Sequence, residues 1–279
     1  MDMKEFCFDG QLHIPPERIE ETLALAINRG LDAVFFTDYG NTDSFNFISA
    51  NDNDKTRVLD SNKWNIEQKS QTLLKLSNQY GNIYVLKAEE IKTRQGHILA
   101  WGIKEPIKNG LDIKETFNQI YQQKGIGVFS HLFMTLFHGC AREGFDYVYN
   151  HFRSYPLGVE QNGQVGKSWE MIFHPNKKIK ELAEEYGVAC FGTSDIHGRY
   201  LQEHRNIGKR YHSSIPREYI EPDRMTESLA EVMSSRQEVV KVVGDTNSTL
   251  ETILWNLSSI RKNGKGKMAD LVDGVIGSF

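Results

Sequence analysis

The sequence predicts an α/β fold, either a (β/α) barrel or an open sheet, and two observations predict it. Short apolar runs alternate with longer amphipathic stretches, which is the pattern of successive βα units. The apolar runs also end repeatedly in residues able to hold a metal or move a proton: Asp38, Glu90, His131, and Asp195 with His197. Polar groups at successive strand C-termini are where both architectures build their sites.

The elements follow in chain order. Pro15-Pro16-Glu17 opens a helix whose apolar face carries Ile19, Leu23 and Ile27, and Gly30 stops it. Leu31 to Phe36 is a buried strand with Thr37-Asp38-Tyr39-Gly40 at its tip. Residues 41–62 are rich in Asn, Asp and Ser and form a polar excursion. Asn65 to Tyr80, with Leu73, Leu74 and Leu76, is expected to be a second helix stopped by Gly81. Asn82 to Leu86 is a strand ending in Ala88-Glu89-Glu90, and Gly96 to Trp101 is another that starts with His97. Ile113 to Lys124 is a helix stopped by Gly125; Gly127 to Ser130 is a strand with His131 at its tip. Leu157 to Val159 is a short strand ending in Glu160, Gln161 and Asn162. Lys177 to Tyr186 is a helix, Gly187 to Phe191 a strand, and Asp195 and His197 sit on its tip. Gly208 to His212 is a candidate for one more strand.

Residues i and i+2 of a strand point to the same side, so Asp195 and His197 can grip one ion or act as base and orienter. Each tip also has a plain reading: Asp38 as a turn former, Glu90 as a solvated charge, His131 as a loop histidine. Their recurrence at one place in each unit favours a shared site. The set Asp, Glu and His suits Zn, Mn or Fe. Paired ions about 3.5–4 Å apart clamp a phosphoryl group and lower the pKa of a bound water, so metal-assisted hydrolysis leads.

The 279 residues suit one barrel-sized domain, and a net charge of -4 gives no reason to expect nucleic acid as a partner. Three widely spaced cysteines indicate reduced thiols, and no membrane span, signal peptide or lipidation motif is evident, so a cytoplasmic protein is expected.

The ordered motifs resemble the PHP family (polymerase and histidinol phosphatase). The residues that carry the resemblance are Phe8-Asp9-Gly10 with Pro16-Glu17, then Arg29 to Tyr39, Ala88 to Ile91 with Gly96-His97-Ile98-Leu99, Gly127 to His131, Val159 to Gly163, and Gly192 to Gly198. The helix-then-strand pattern of Ser228 to Gly244 fits the family's tail, so the likeness spans roughly residues 6–245. It implies a distorted seven-stranded (β/α) barrel that holds one to three divalent ions and hydrolyses a small phosphorylated substrate or a nucleotide. By position it implies that Glu90, His97 and His131 form one metal site, that Glu90 and Asp195 belong to a second, and that Asp9 and His197 belong to a third. Asp195, His197 and Glu90 would carry the catalysis.

Two departures stand out. The place of the family's first H-x-H-T holds Met1-Asp2-Met3-Lys4, and its T-D-H is Thr37-Asp38-Tyr39 here. A first strand lying upstream of this chain is one expectation. A diverged member with a binding or regulatory role is the alternative to the enzyme, and another barrel hydrolase acting on C–N bonds gains nothing from these residues.

Arg142, Arg199 and Asn162 are candidates to bind substrate, Glu160 or Asn162 to orient a ligand, and His204 to touch substrate. His13 is expected on a surface loop; His138 lies on the excursion after His131. His151, His174 and His212 have no ligand spacing, and Lys262 to Lys267 reads as a solvated loop. The barrel domain is expected over 1–245, with 246–279 packing on it or forming an oligomer interface.

Overall fold

Strand β1 (Glu5–His13) pairs in the sheet with β2 (Ala33–Tyr39), and the helix α1 (Ile19–Asn28) connects them. The computed structural model describes residues 5–50, 58–60, 63–134, 139–165, 167–197 and 203–246. After β2 come α2 (Asp43–Ser49), a hairpin of β3 (Asn65–Ser70) and β4 (Leu73–Asn78), and the long β5 (Gly81–Lys92). Then follow β6 (His97–Trp101), α3 (Ile113–Gln122), β7 (Ile126–Phe129), α4 (Arg142–Phe152) and β8 (Leu157–Asn162). The last part holds α5 (Lys167–Phe173), α6 (Pro175–Tyr186), β9 (Ala189–Thr193), β10 (Ile196–His197), β11 (His212–Pro216), α7 (Met225–Ser235) and β12 (Lys241–Val243).

The result is a mixed α/β fold around a nearly closed, barrel-shaped sheet. Its strand order is β12-β11-β1-β2-β5-β6-β7-β8-β9, with β3, β4 and β10 attached at the side. Nine strands therefore run round the sheet, not the seven expected. The ladder is also not uniformly parallel: β6 runs antiparallel to β5 and β7, and β11 antiparallel to β1 and β12. The tight Thr93 to Gly96 turn between β5 and β6 leaves no room for a crossover helix, so those strands pair as a hairpin.

Period-two alternation sorts the side chains. Phe8, Phe35, Ala88, Leu99, Trp101, Val128 and Phe191 fill the barrel interior together with Met225 and Leu229 of α7. Val34, Phe36, Leu74, Leu76 and Val85 face outward against α1 and its neighbours. The expected helix over Asn65 to Tyr80 is a correction: these residues form the β3–β4 hairpin. Leu73, Leu74 and Leu76 pair across with Leu86, Val85 and Ile83, which buries them on both faces of an added strand. Asn65, Ser70 and Thr72 before the leucines and Ser77 and Asn78 after them are weak helix formers, so tertiary burial decides the segment. Gly81 opens β5 at φ +150 instead of capping a helix. Gly187 does cap α6, at φ 62. The last candidate strand also shifts: β11 begins at His212, and Arg210 makes only an isolated bridge to Asp245.

The barrel's seam lies between β9 and β11, and side chains close it. Ser213 Oγ donates to Gly192 O at 3.0 Å and accepts from Gly192 N at 3.1 Å. Gly192 permits this approach, because a Cβ there would meet His212 O and a Val242 methyl at 2.7 Å. Toward the strand C-termini the chain bends at Ser194-Asp195, and β10 pairs in parallel with β1, Ile196 opposite Leu12 and His197 opposite His13. Asp9 pins that bend by accepting Ser194 N–H at 3.1 Å.

Residues 247–279 lie outside the described residues, and so do Met1 to Lys4 and the Lys262 to Lys267 run. Among the described residues no helix is long and apolar enough to cross a membrane.

If the serine hydroxyl holds the seam, Ser213→Ala lowers stability by about 1–3 kcal/mol in denaturant unfolding. Ser234→Ala, whose hydroxyl bonds only its own helix carbonyl, changes it by less than about 0.5 kcal/mol.

Candidate metal centre

The inward side chains change character along the barrel. Below they are aromatic and aliphatic; toward the strand C-termini they become Glu90, His97, Glu160, Asn162 and Thr193. Strand β5 shows how alternation selects the ligand. Glu90 points into the barrel, whereas its neighbour Glu89 points out and accepts Ile107 N–H at 2.7 Å.

Glu90 is fully buried and faces three histidines. His13 Nε2 lies 2.9 Å from one carboxylate oxygen; His97 Nδ1 at 2.6 Å and His131 Nε2 at 3.2 Å lie against the other. His13 Nε2 is also 3.4 Å from Asp195 Oδ1, and His131 Nε2 is 3.8 Å from Asp195 Oδ2. Two groups therefore have the spacing to hold a metal ion: Glu90, His97 and His131, and next to it His13, Asp195 and His197. Within each group the ligand atoms lie within 4.8 Å of one another.

The first group is the one expected from sequence. The second includes a residue sequence reasoning misplaced. His13 is at the tip of β1, not on a surface loop, and its ring is stacked between neighbours, 4.4 Å from His197 and 4.6 Å from Tyr39. The cause is a bulge. Between the paired positions Asp9–Val34 and Leu12–Phe36, β1 advances three residues while β2 advances two. One extra residue reverses the facing of everything beyond it, so Leu12 joins the outer core while Gln11 and His13 turn inward. The signal was present: a helix opening at Pro16 requires the preceding strand to end near His13. Strand β1 thus lies within the chain, ahead of α1, and carries His13 at its end.

Asp9 is the converse correction. Before the bulge, it belongs to neither metal-binding group. Its Oδ1 takes the Ser194 and Gln11 N–H groups, and burial pushes its pKa up to about 7. Its other oxygen, Oδ2, is buried with no hydrogen-bond partner among the described residues. Asp38 likewise stays outside both groups: it caps α2, accepting Ser44 N–H at 2.7 Å and Ser44 O–H at 2.9 Å.

Amides orient the ligands. Gln164 N–H donates to Asn162 Oδ1, which aims Asn162 Nδ2 at Glu160 Oε1 (2.6 Å), His131 Nδ1 (2.7 Å) and Asp195 Oδ2 (3.1 Å). Asn176 holds the Asn162 backbone from α6. Asn162, expected to bind substrate, is therefore buried and positions ligands instead. Gln11 donates to Glu90 at 3.2 Å and accepts from Thr193 O–H at 3.3 Å. Arg142, also expected at the substrate, is held on the outer surface by Glu185 and Tyr186, where α4 meets α6. His204 turns to Glu21 on α1, 2.9 Å away. Arg199 and His138 lie outside the described residues.

The electrostatics fit a cation. Glu90, Glu160 and Asp195 are buried, and their described partners are His, Gln, Asn, Ser and Thr, without Lys or Arg. Buried charges require partners, and in this donor set only protonated imidazoles or a divalent ion can supply them. Burial raises Glu90, but His13, His131 and His97 hold it well below the usual carboxylate range. Burial lowers His13, yet hydrogen bonds to Asp195 and Glu90 outweigh it and lift His13 to about 9. His131 is drawn down by burial and raised more by the Asp195 charge, to about 10. Burial and the nearby His13 charge leave His197 neutral, at about 4. Burial pushes Glu160 up to about 7. The backbone adds strain: His131 and Asp195 hold φ of 52 and 51, a region side chains rarely adopt.

No protein-family profile matches the chain, and no curated protein matches it. A crystal structure of PsfC from Pseudomonas syringae PB-5123 superposes with a TM-score of 0.60, covering 94% of this chain and 99% of that one at 13% identity. A likeness at that identity shows a shared fold.

The raised histidines set a sign. A histidine raised to about 9 or 10 stabilises the metal-free fold below its unfolded pKa near 6.5, and that stability is lost as pH rises through the folded pKa. With chelator present, Tm therefore falls as pH is raised from about 6.5 to about 10. Divalent metal binds the neutral imidazoles, so the metal-induced rise in Tm is larger at pH 9 than at pH 6, measured by thermal melts across the range.

Proposed function

We propose that this chain is a metal-dependent phosphoesterase of the PHP type, acting on a small phosphate ester or a nucleotide. The observation that carries the reading is the position of Glu90. One buried carboxylate presents its two oxygens to two adjacent ligand groups, as a bridging ligand of a paired ion site does. Gln11-Leu12-His13 supports the family resemblance further. With His13 at the strand tip, this triplet, not Met1 to Lys4, takes the place of the first H-x-H, with glutamine at its first position.

Glu90, His97 and His131 would hold one ion, and His13, Asp195 and His197 a second, with Glu90 shared. Divalent ions bound there lower the pKa of a water and offset charge on a phosphoryl group. The reaction joins a water oxygen to phosphorus and breaks the ester P–O bond, and the departing oxygen takes up a proton. The chain's own residues prepare the ground. His197 donates from Nδ1 to the Asp195 backbone oxygen at 3.0 Å, which leaves Nε2 as an acceptor facing the Tyr39 hydroxyl at 3.2 Å. Asn162 and Gln164 fix Asp195 from two sides. Zn, Mn and Fe all suit this donor set.

A second reading, a diverged PHP-like protein that binds but does not hydrolyse, draws on Gln11 and Tyr39 standing where the family has histidines. One experiment separates the two. Protein purified without chelator is expected to carry about two equivalents of Zn, Mn or Fe per chain, and Glu90→Gln loses most of it. Metal-loaded wild type hydrolyses p-nitrophenyl phosphate, and Glu90→Gln falls at least about 100-fold. Bound metal without turnover of any phosphate ester in a broad panel overturns the enzyme reading and leaves the binding one.

A further inference from the structure

The floor of the site consists of carboxylates, imidazoles and amides, none of which carries a fixed positive charge. Among the described residues, Lys92 near them does. Lys92 is the last residue of β5, two positions beyond Glu90 and so on the same side of the strand. Its ammonium lies 4.2 Å from the centre of the Tyr39 ring. Tyr39 in turn stacks on His13 and places its hydroxyl 3.2 Å from His197 Nε2. The Tyr39 ring thus touches both the lysine and the second ligand group. Among the described residues no carboxylate pairs with Lys92, so the ring is its described partner.

The edge is built rigidly. Lys92 donates its backbone N–H to Asn109 Oδ1 at 2.8 Å, and its carbonyl accepts Gly110 N–H at 2.7 Å. Asn109 also packs against Gly40, where a Cβ would fall 2.2 Å from Asn109 Nδ2. Gly40, at φ 66, donates its own N–H to Glu90 O at 3.1 Å. Tyr39, Gly40, Lys92 and Asn109 are therefore one wall, locked to the strand that carries the bridging carboxylate. An aromatic ring steadies a cation at the cost of little of its charge, since the attraction is to the ring quadrupole.

We propose that Lys92, steadied by Tyr39, is the anion-recognising edge of this site and that the substrate it selects is a phosphate monoester. The proposal rests on the phosphoesterase reading. A monoester has three terminal oxygens and up to two negative charges, enough to engage both the floor and the edge. A diester has two terminal oxygens and one charge, and gains less from the second cation. Tyr39 and Lys92 bind and position; they take no part in bond making.

The test compares metal-loaded wild type with Lys92→Met, which keeps an unbranched apolar stem over the ring, and with Lys92→Arg, which restores the charge. The expected result is that Lys92→Met raises KM for p-nitrophenyl phosphate about tenfold and weakens inhibition by inorganic phosphate by the same factor. Its kcat and metal content stay near wild type, KM for bis-p-nitrophenyl phosphate changes little, and Lys92→Arg recovers most of the loss. Unchanged KM and phosphate inhibition in Lys92→Met, in a wild type that turns over, overturn the proposal and leave the phosphoesterase reading standing. If wild type turns over no phosphate ester in the broad panel, that reading fails. The edge is then judged by titrating inorganic phosphate into metal-loaded protein: binding weakened about tenfold in Lys92→Met supports it, and equal binding overturns it.

Discussion

A single buried negative charge constrains the upper half of this barrel. Glu90 is fully buried with no lysine or arginine beside it among the described residues, and histidines from three different strand ends converge on its two oxygens. Each of those histidines needs its own support. His131 has Asn162, His13 has the stacked rings of Tyr39 and His197, and Asn162 has Gln164 and Asn176. The polar network thus extends outward from one carboxylate until it reaches α6, which carries Asn176. Such a network is stable only when all its members are present, which explains the density of amide contacts around so few ligands.

The apolar half of the barrel meets a different demand. Phe8, Phe35, Trp101 and Phe191 pack edge-to-face, tilted or stacked, with ring centres 5.0–6.1 Å apart, and seal the floor beneath the polar layer. Trp101 also donates its indole N–H to Gly10 O at 3.0 Å, so the largest interior side chain holds the bulged strand in place. Packing below and ligand geometry above therefore meet at Gly10.

Much of this was legible in the chain. Glu90, His131, Asp195 and His197 could be read as polar residues at strand tips, and the family resemblance added His97 and the grouping; that Asp195 and His197 meet across a left-handed bend rather than along one strand could not be read. The Asn65 to Tyr80 hairpin was not legible, because Leu73, Leu74 and Leu76 suit a helix face as well as a doubly buried strand, and only the neighbouring edge of β5 decides between them. His13 was lost to a one-residue bulge, which no periodicity carries. The closure of the seam by Ser213 is a long-range contact between segments 21 residues apart, and nothing in either segment announces it.

The left-handed backbone at His131 and Asp195 links two equilibria that are usually treated apart. Each of these residues holds a conformation that costs about 1–3 kcal/mol and that the unfolded chain does not have to keep. Whatever ligand the two side chains share must offset that cost, so filling the site and folding the strand ends are one thermodynamic step. Local opening around residues 131 and 195 is then linked to binding at the site, since a ligand held only by the closed form lowers it.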